Sequence, residues 1–187
     1  MTEAVYLANH FLIAMPGLTD PNFAQTVIYV CEHNSEGAMG IVINRPLDIS
    51  LGEVLKQLDL EWPGDAVAER EVFAGGPVEE QRGFVLHEPV GQWDGTFITS
   101  GDIGVTSSKD ILEAIALNQG PERFMVALGY AGWGAGQLEQ EMSQNAWLSG
   151  PADRDILFDT PASARLEAAA GLLGVDMTLL STDVGHA

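Results

Sequence analysis

Apolar and polar positions along this chain mark out its elements in turn. Residues 26–32 (TVIYVCE) and 39–44 (MGIVIN) read as strands. His33-Asn34-Ser35-Glu36-Gly37 between them is short, polar and ends in glycine, the pattern of a hairpin. Ser50-Leu51-Gly52-Glu53 fits a capping box and opens a short amphipathic helix, LGEVLKQL. Residues 59–70 are polar and read as a loop. A second hairpin is predicted from residues 72–74, the Gly75-Gly76-Pro77 turn and residues 82–87, followed by a short strand at 96–99. Ser107 or Ser108 caps a helix that stops at Gly120-Pro121, with Ile111, Leu112, Ile115 and Ala116 on one face. Residues 124–130 are almost unbroken apolar, as expected of a strand buried on both faces. Glycines 129, 132, 134 and 136 then predict a sharp turn into a helix over 137–147. Residues 155–158 read as a short strand, and Thr160-Pro161 opens a last helix ending near Gly174. This order predicts an α+β (mixed α/β) fold with a mixed sheet, in one domain spanning 1–187.

Charge changes the picture more than length does. The chain carries 27 acids against 8 bases, a net charge of −19. Nucleic-acid affinity comes largely from cations that displace phosphate counterions, so direct nucleic-acid binding is disfavoured, the bases being scattered singly. One cysteine, Cys31, allows no intrachain disulfide. The first residues lack a basic leader, and the run FLIAM is too short to span a bilayer, so a cytoplasmic protein with no membrane contact is expected.

Candidate chemistry is sparse. Cys31 and His33 sit two apart on a strand, roughly 6.5–7 Å, too far for direct proton transfer, so a core cysteine beside a turn histidine is the preferred reading. Gly132-Trp133-Gly134-Ala135-Gly136 lies between strand and helix, where anions bind free N–H groups. Gln137 stands where a dinucleotide fingerprint needs its third glycine, so close helix–strand packing around Trp133 is preferred. Gly75-Gly76 resembles an oxyanion-type turn, yet no serine elbow accompanies it. Arg45, Arg82 and Arg123 stand at strand ends, where pairing with acids is favoured over ligand binding. His87 and Glu88 are adjacent on a strand and face opposite ways, so His87 is read as satisfied or exposed. His186, in the tail, is read as solvated. No metal site and no cofactor are expected.

Five segments together carry a resemblance: FLIAMPGLTDPNFAQTVIYVCEHNSEGAMGIVINRP, GGPVEEQRGFVLH, TSSKDILEAIALNQGPE, ALGYAGWGAGQLEQEMSQNAWL and the closing GHA. In this order and spacing they resemble the YqgE/AlgH family of bacterial proteins over nearly the whole chain. Arg165-Leu166 departs from it, since family members often carry tryptophan after the arginine. The resemblance implies a bifurcated mixed sheet curled into a pseudo-barrel and flanked by helices. It also brings the label of transcriptional regulator, attached through an association with alginate control. No catalytic residues come with it. Asn44, Arg45, Gly75, Gly76, Arg82, Tyr130, Trp133 and Asn145 fall in its motif blocks and serve equally well as fold determinants.

The expectation is therefore a non-enzymatic regulatory or binding protein with a small-molecule or protein partner, acting without direct DNA contact. The expected ligand site is formed by Gly75, Gly76, Arg82, Tyr130, Trp133, Gly134 and Gly136. The alternative is an enzyme of unrecognised class, which requires Arg45, Arg82 or His87 to converge with a perturbed acid.

Overall fold

Successive residues of one strand feed two different cores, and that sets the architecture. The computed structural model describes residues 6–60, 64–99 and 102–175, with Asp65 described by its backbone alone. His186 and the closing GHA lie outside the described residues. In strand β2 (Val27–Asn34), Val27, Tyr29 and Cys31 point into one apolar cluster, while Ile28 and Val30 point into another. A strand apolar on both faces must be covered on both, so helices pack on either side of the sheet.

Ten strands among the described residues run in the order β10-β1-β2-β3-β9-β6-β8-β7, with β5 joining β9 and β4 joining β5. They are β1 (His10–Ala14), β2, β3 (Gly37–Val42), β4 (Pro46–Ser50), β5 (Glu71–Ala74), β6 (Val78–Glu88), β7 (Phe97–Ile98), β8 (Gly104–Thr106), β9 (Arg123–Gly134) and β10 (Trp147–Pro151). Strand β9 is the branch point. Its first half pairs with β6 on one edge and with β5, in parallel, on the other, and its last four residues pair with β3. The result is a bifurcated, curled mixed sheet, as the resemblance implied.

Three clusters fill it. Phe11, Tyr29, Ile41, Leu86 and Met125 pack with Ile156 and Ala169 from α5 (Arg154–Phe158) and α6 (Arg165–Leu172). Leu12, Ile28, Trp133 and Trp147 pack with Leu138 of α4 (Gln137–Ser143). Val72, Val85 and Val126 pack with Leu51 and Leu55 of α1 (Leu51–Gln57) and with Ile111 and Ile115 of α3 (Lys109–Ala116).

Local signals place several elements where they were expected. The 26–44 hairpin forms, and Ser50 and Glu53 complete both bonds of the capping box on α1. Gly174, at φ +71°, follows α6. Ser108 stands at the N-cap of α3, but its hydroxyl donates to the Asp110 carboxylate and accepts no bond from the helix backbone.

The structure departs from the sequence reading in five places, the first three through non-local strand pairing. Residues 72–74 and 82–87 make no hairpin, because β9 lies between β5 and β6 and takes the hydrogen bonds of both. The turn expected at 132–136 shrinks: Gly132, Trp133 and Gly134 remain strand because β3 runs opposite them, from Gly37↔Gly134 to Gly40↔Ala131. Helix α4 ends at Ser143, and Trp147 instead begins β10, paired with β1. Residues 155–158 are helix, started by the Asp153 carboxylate accepting from the Ile156 N–H. The 59–70 segment contains α2 (Asp65–Ala68), and β4 and β8 are short strands that no pattern announced.

Candidate functional site

A cleft of about 630 Å³ opens where the β2–β3 hairpin and β6 flank the second half of β9. Arg82, Tyr130 and Trp133 line it together, facing Glu32 and Glu36 of the hairpin. Strand β6 aims Arg82 there by leaving β9. Val78 pairs with Tyr130 and Gly83 with Leu128, so five residues of advance on β6 oppose two on β9. The slack is a bulge, with Glu79 at φ +47°. Arg82 lies with its guanidinium 5.1 Å from the Phe84 ring centre, and Phe84 meets Tyr130 edge-on at 5.7 Å. Its terminal nitrogens donate to Glu79 at 3.4 Å and Ser107 at 3.1 Å. Both members of the Arg82–Glu79 pair are about half exposed, so it contributes little to stability.

The Gly75-Gly76 turn lies against the middle of β9 rather than beside the turn at its end, and it seals rather than opens. The Gly75 N–H donates to the Leu128 carbonyl at 2.7 Å, and a Cβ on Gly76 would stand 2.1 Å from the Tyr130 carbonyl carbon. Neither glycine lines the cleft. Gly134 donates its N–H to Gln137, and Gly136 takes φ +74° at the start of α4, both beyond the lining residues.

Arg45, Arg82 and His87 share no hydrogen-bond partner. Arg45 donates to the carbonyls of Asn22 and Ala24, holding the 20–25 loop rather than pairing with the acid that was expected. Asn44 acts beside it, accepting from the Val27 N–H and donating to the Gln25 carbonyl. Arg123 does pair with acids, bridging Glu88, Asp155 and Asp159.

His87 is fully buried. Its Nδ1–H donates to the Pro89 carbonyl at 3.0 Å, which in the neutral ring leaves Nε2 to accept from the Thr106 hydroxyl at 2.7 Å. Burial pushes its pKa below 6.5, against the opposing pull of the Pro89 carbonyl. The unfolded chain protonates His87 as pH falls through about 6.5, while the fold resists the proton. Stability from this group is therefore full above about pH 6.5 and erodes below it, by at most about 1.4 kcal/mol per pH unit for one proton. Urea midpoints between pH 7 and 5 should fall more steeply for the native chain than for His87→Gln; parallel slopes would remove His87 as the cause.

Cys31 and His33 do not form a dyad. Cys31 is the extra residue of a bulge between Val30 and Glu32, is buried, and its thiol pKa is pushed up chiefly by that burial. The His33 Nδ1 accepts from the Leu7 N–H, so its Nε2–H donates to Glu139 at 2.8 Å. That bond holds the Glu139 carboxyl below the usual carboxylate range. Among the described residues no three His, Cys, Asp or Glu side chains gather as a metal site, and no helix is long and apolar enough to cross a membrane.

With the branch-point sheet and its cleft in view, the class is clear: residues 11–178 match the AlgH-like family, and the chain belongs to it. UPF0301 proteins of Thioalkalivibrio sulfidiphilus and Nitrosococcus oceani are 58% and 54% identical, each over the whole of both chains. The solution structure of AlgH from Pseudomonas aeruginosa superposes with a TM-score of 0.81 at 51% identity, covering 97% of this chain and 96% of that one. A crystal structure from Corynebacterium diphtheriae shares the fold at 20% identity and TM-score 0.72, covering 97% and 94%.

Proposed function

We propose that this protein is a non-enzymatic, regulatory binding protein whose ligand enters the cleft between the β2–β3 hairpin and β6. The observation that supports this is the division of charge across the cleft. Arg82 stands on the β6 side and Glu32 and Glu36 on the hairpin side, with Tyr130 of β9 also lining it, while the Trp133 ring packs into the core cluster on Trp147. A ligand of mixed charge, an amino acid or short peptide segment, matches that order. Among the described residues no serine, threonine, cysteine or histidine lines the cleft, so none there offers a hydroxyl or thiol nucleophile with a histidine base. The net charge of −19 argues for regulation through such a ligand or a protein partner rather than through DNA contact.

Thermal unfolding with amino acids and short peptides, against nucleotides and simple anions, tests this. A ligand at a hundredfold excess over Kd stabilises the fold by about 2.7 kcal/mol. The melting temperature should rise with a mixed-charge ligand and not in Arg82→Ala, whose unliganded stability should stay within about 1 kcal/mol of the parent. A response that persists in Arg82→Ala, or none across the panel, would discard the cleft as the site.

A further inference from the structure

The eight bases are scattered along the sequence, but the fold draws three of them around one cavity. Arg70, Arg123 and Arg165 line a hollow of about 390 Å³ between the start of β9, the end of α5 and the loop before α6. Each guanidinium lies over an aromatic ring that also lines it: Arg70 over Phe124 at 4.1 Å, Arg165 over Phe73 at 4.8 Å and Arg123 over Phe158 at 5.6 Å. Rings brace the flat faces and leave the N–H edges as the binding surface.

The three are not equivalent. Arg123 is committed to Glu88, Asp155 and Asp159. Arg70 and Arg165 make no ion pair with a described carboxylate. Arg165 is only 5% exposed, which makes an unpaired charge there expensive. Its Nε donates to the Thr160 carbonyl and its Nη1 to the Ile43 carbonyl and Met125 sulfur. Its Nη2 has no acceptor among the described residues. Nor is it sealed away, since the one sealed side-chain polar atom without a partner among them is Trp93 Nε1. Nη2 is thus not sealed, and Arg165 lines the hollow. Arg70 gives one donor to the Phe124 carbonyl at 2.7 Å and keeps the rest of its fork free. Desolvation lowers the pKa of both; at Arg165 the nearby Glu71 carboxylate works against this and the charge of Arg70 adds to it.

We infer that this hollow is an anion site, distinct from the Arg82 cleft, in which Arg70 and Arg165 receive a small carboxylate. A planar carboxylate matches the edges of two guanidinium forks. Glu71, Glu122 and Asp159 at the same wall disfavour a phosphate dianion, and the three phenyl rings suit an apolar body behind the carboxylate.

The test is a titration of the full ¹⁵N-labelled protein with benzoate, inorganic phosphate and, at matched ionic strength, chloride. Benzoate should shift the Nε–Hε signals of Arg70 and Arg165 and the amides of Glu71 and Phe124 saturably. Arg70→Gln, with amide dispersion retained, should weaken binding about tenfold or more, whereas Arg82→Ala should bind benzoate like the parent. Equal shifts with chloride, saturation by phosphate alone, or no saturable shift would each overturn the assignment. The Arg82→Ala control keeps the two sites apart, so failure of one leaves the other standing.

Discussion

Gly76→Ala should be the most damaging single methyl in this protein. Three backbone atoms already occupy the space a Cβ would need: the Tyr130 carbonyl carbon at 2.1 Å, its oxygen at 2.2 Å and the Ala131 nitrogen at 2.5 Å. Backbone atoms of a central strand cannot swing aside as a side-chain tip can. The residue also sits at φ +153°, which side chains rarely adopt. Overpacking and backbone strain together are expected to cost roughly 3 kcal/mol or more. Gly136 separates the two causes. It has φ +74° and nothing within 4 Å of the point where a methyl would stand, so Gly136→Ala should cost only about 1–2 kcal/mol. Urea unfolding of both variants checks the contrast. Equal midpoints would mean that the Gly76 contact gives way easily and that the β5–β9 junction is looser than its geometry requires.

Glu141→Ala ranks next, because one carboxylate serves two buried indoles. Its Oε1 accepts from Trp133 Nε1 at 3.1 Å and from Trp147 Nε1 at 2.9 Å, while Oε2 accepts from Gln137 at 3.0 Å. The rings meet edge-on at 6.1 Å, with Phe23 stacked against Trp133. Truncation strands two indole donors at a part-buried position, and each orphaned donor costs about 1–3 kcal/mol. A loss of roughly 2–4 kcal/mol is expected, with a change in the near-ultraviolet circular dichroism of the tryptophans. Glu141→Gln keeps an oxygen for the indoles and should lose distinctly less. If the two variants behave alike, the indole bonds are not what Glu141 contributes.

What could be read from sequence follows the range of each interaction. The Ser50–Glu53 box and the 26–44 hairpin lie within a few residues of their own signals and were legible. The false hairpin at 72–87 arose because the hydrogen-bond partners of β5 and β6 lie 35 to 54 residues downstream, on β9. Residues 155–158 were misread because three apolar residues fit a strand as well as one helical turn, and the deciding signal was the cap at Asp153. Of the expected site residues, Arg82, Tyr130 and Trp133 meet in one cleft. The acids opposite them were not foreseeable, since Glu32 and Glu36 arrive through the β3–β9 pairing. Arg70, Arg123 and Arg165 are dispersed over almost a hundred positions, and only the fold gathers them.

The position of β9 in the chain also sets a timetable. It is late in the chain, the ninth of ten strands among the described residues, yet β3, β5 and β6 all wait for it, and β1 waits longer still for β10. At a synthesis rate of about 5–20 residues per second, the early strands leave the ribosome seconds before their partners exist. During that interval β2, β3 and β6 present apolar faces and open edges, the conditions under which nascent chains stick to one another. An excess of acids over bases works throughout that wait, because like-charged chains repel before they fold as well as after. The same excess of acids thus serves as a chaperone written into the chain.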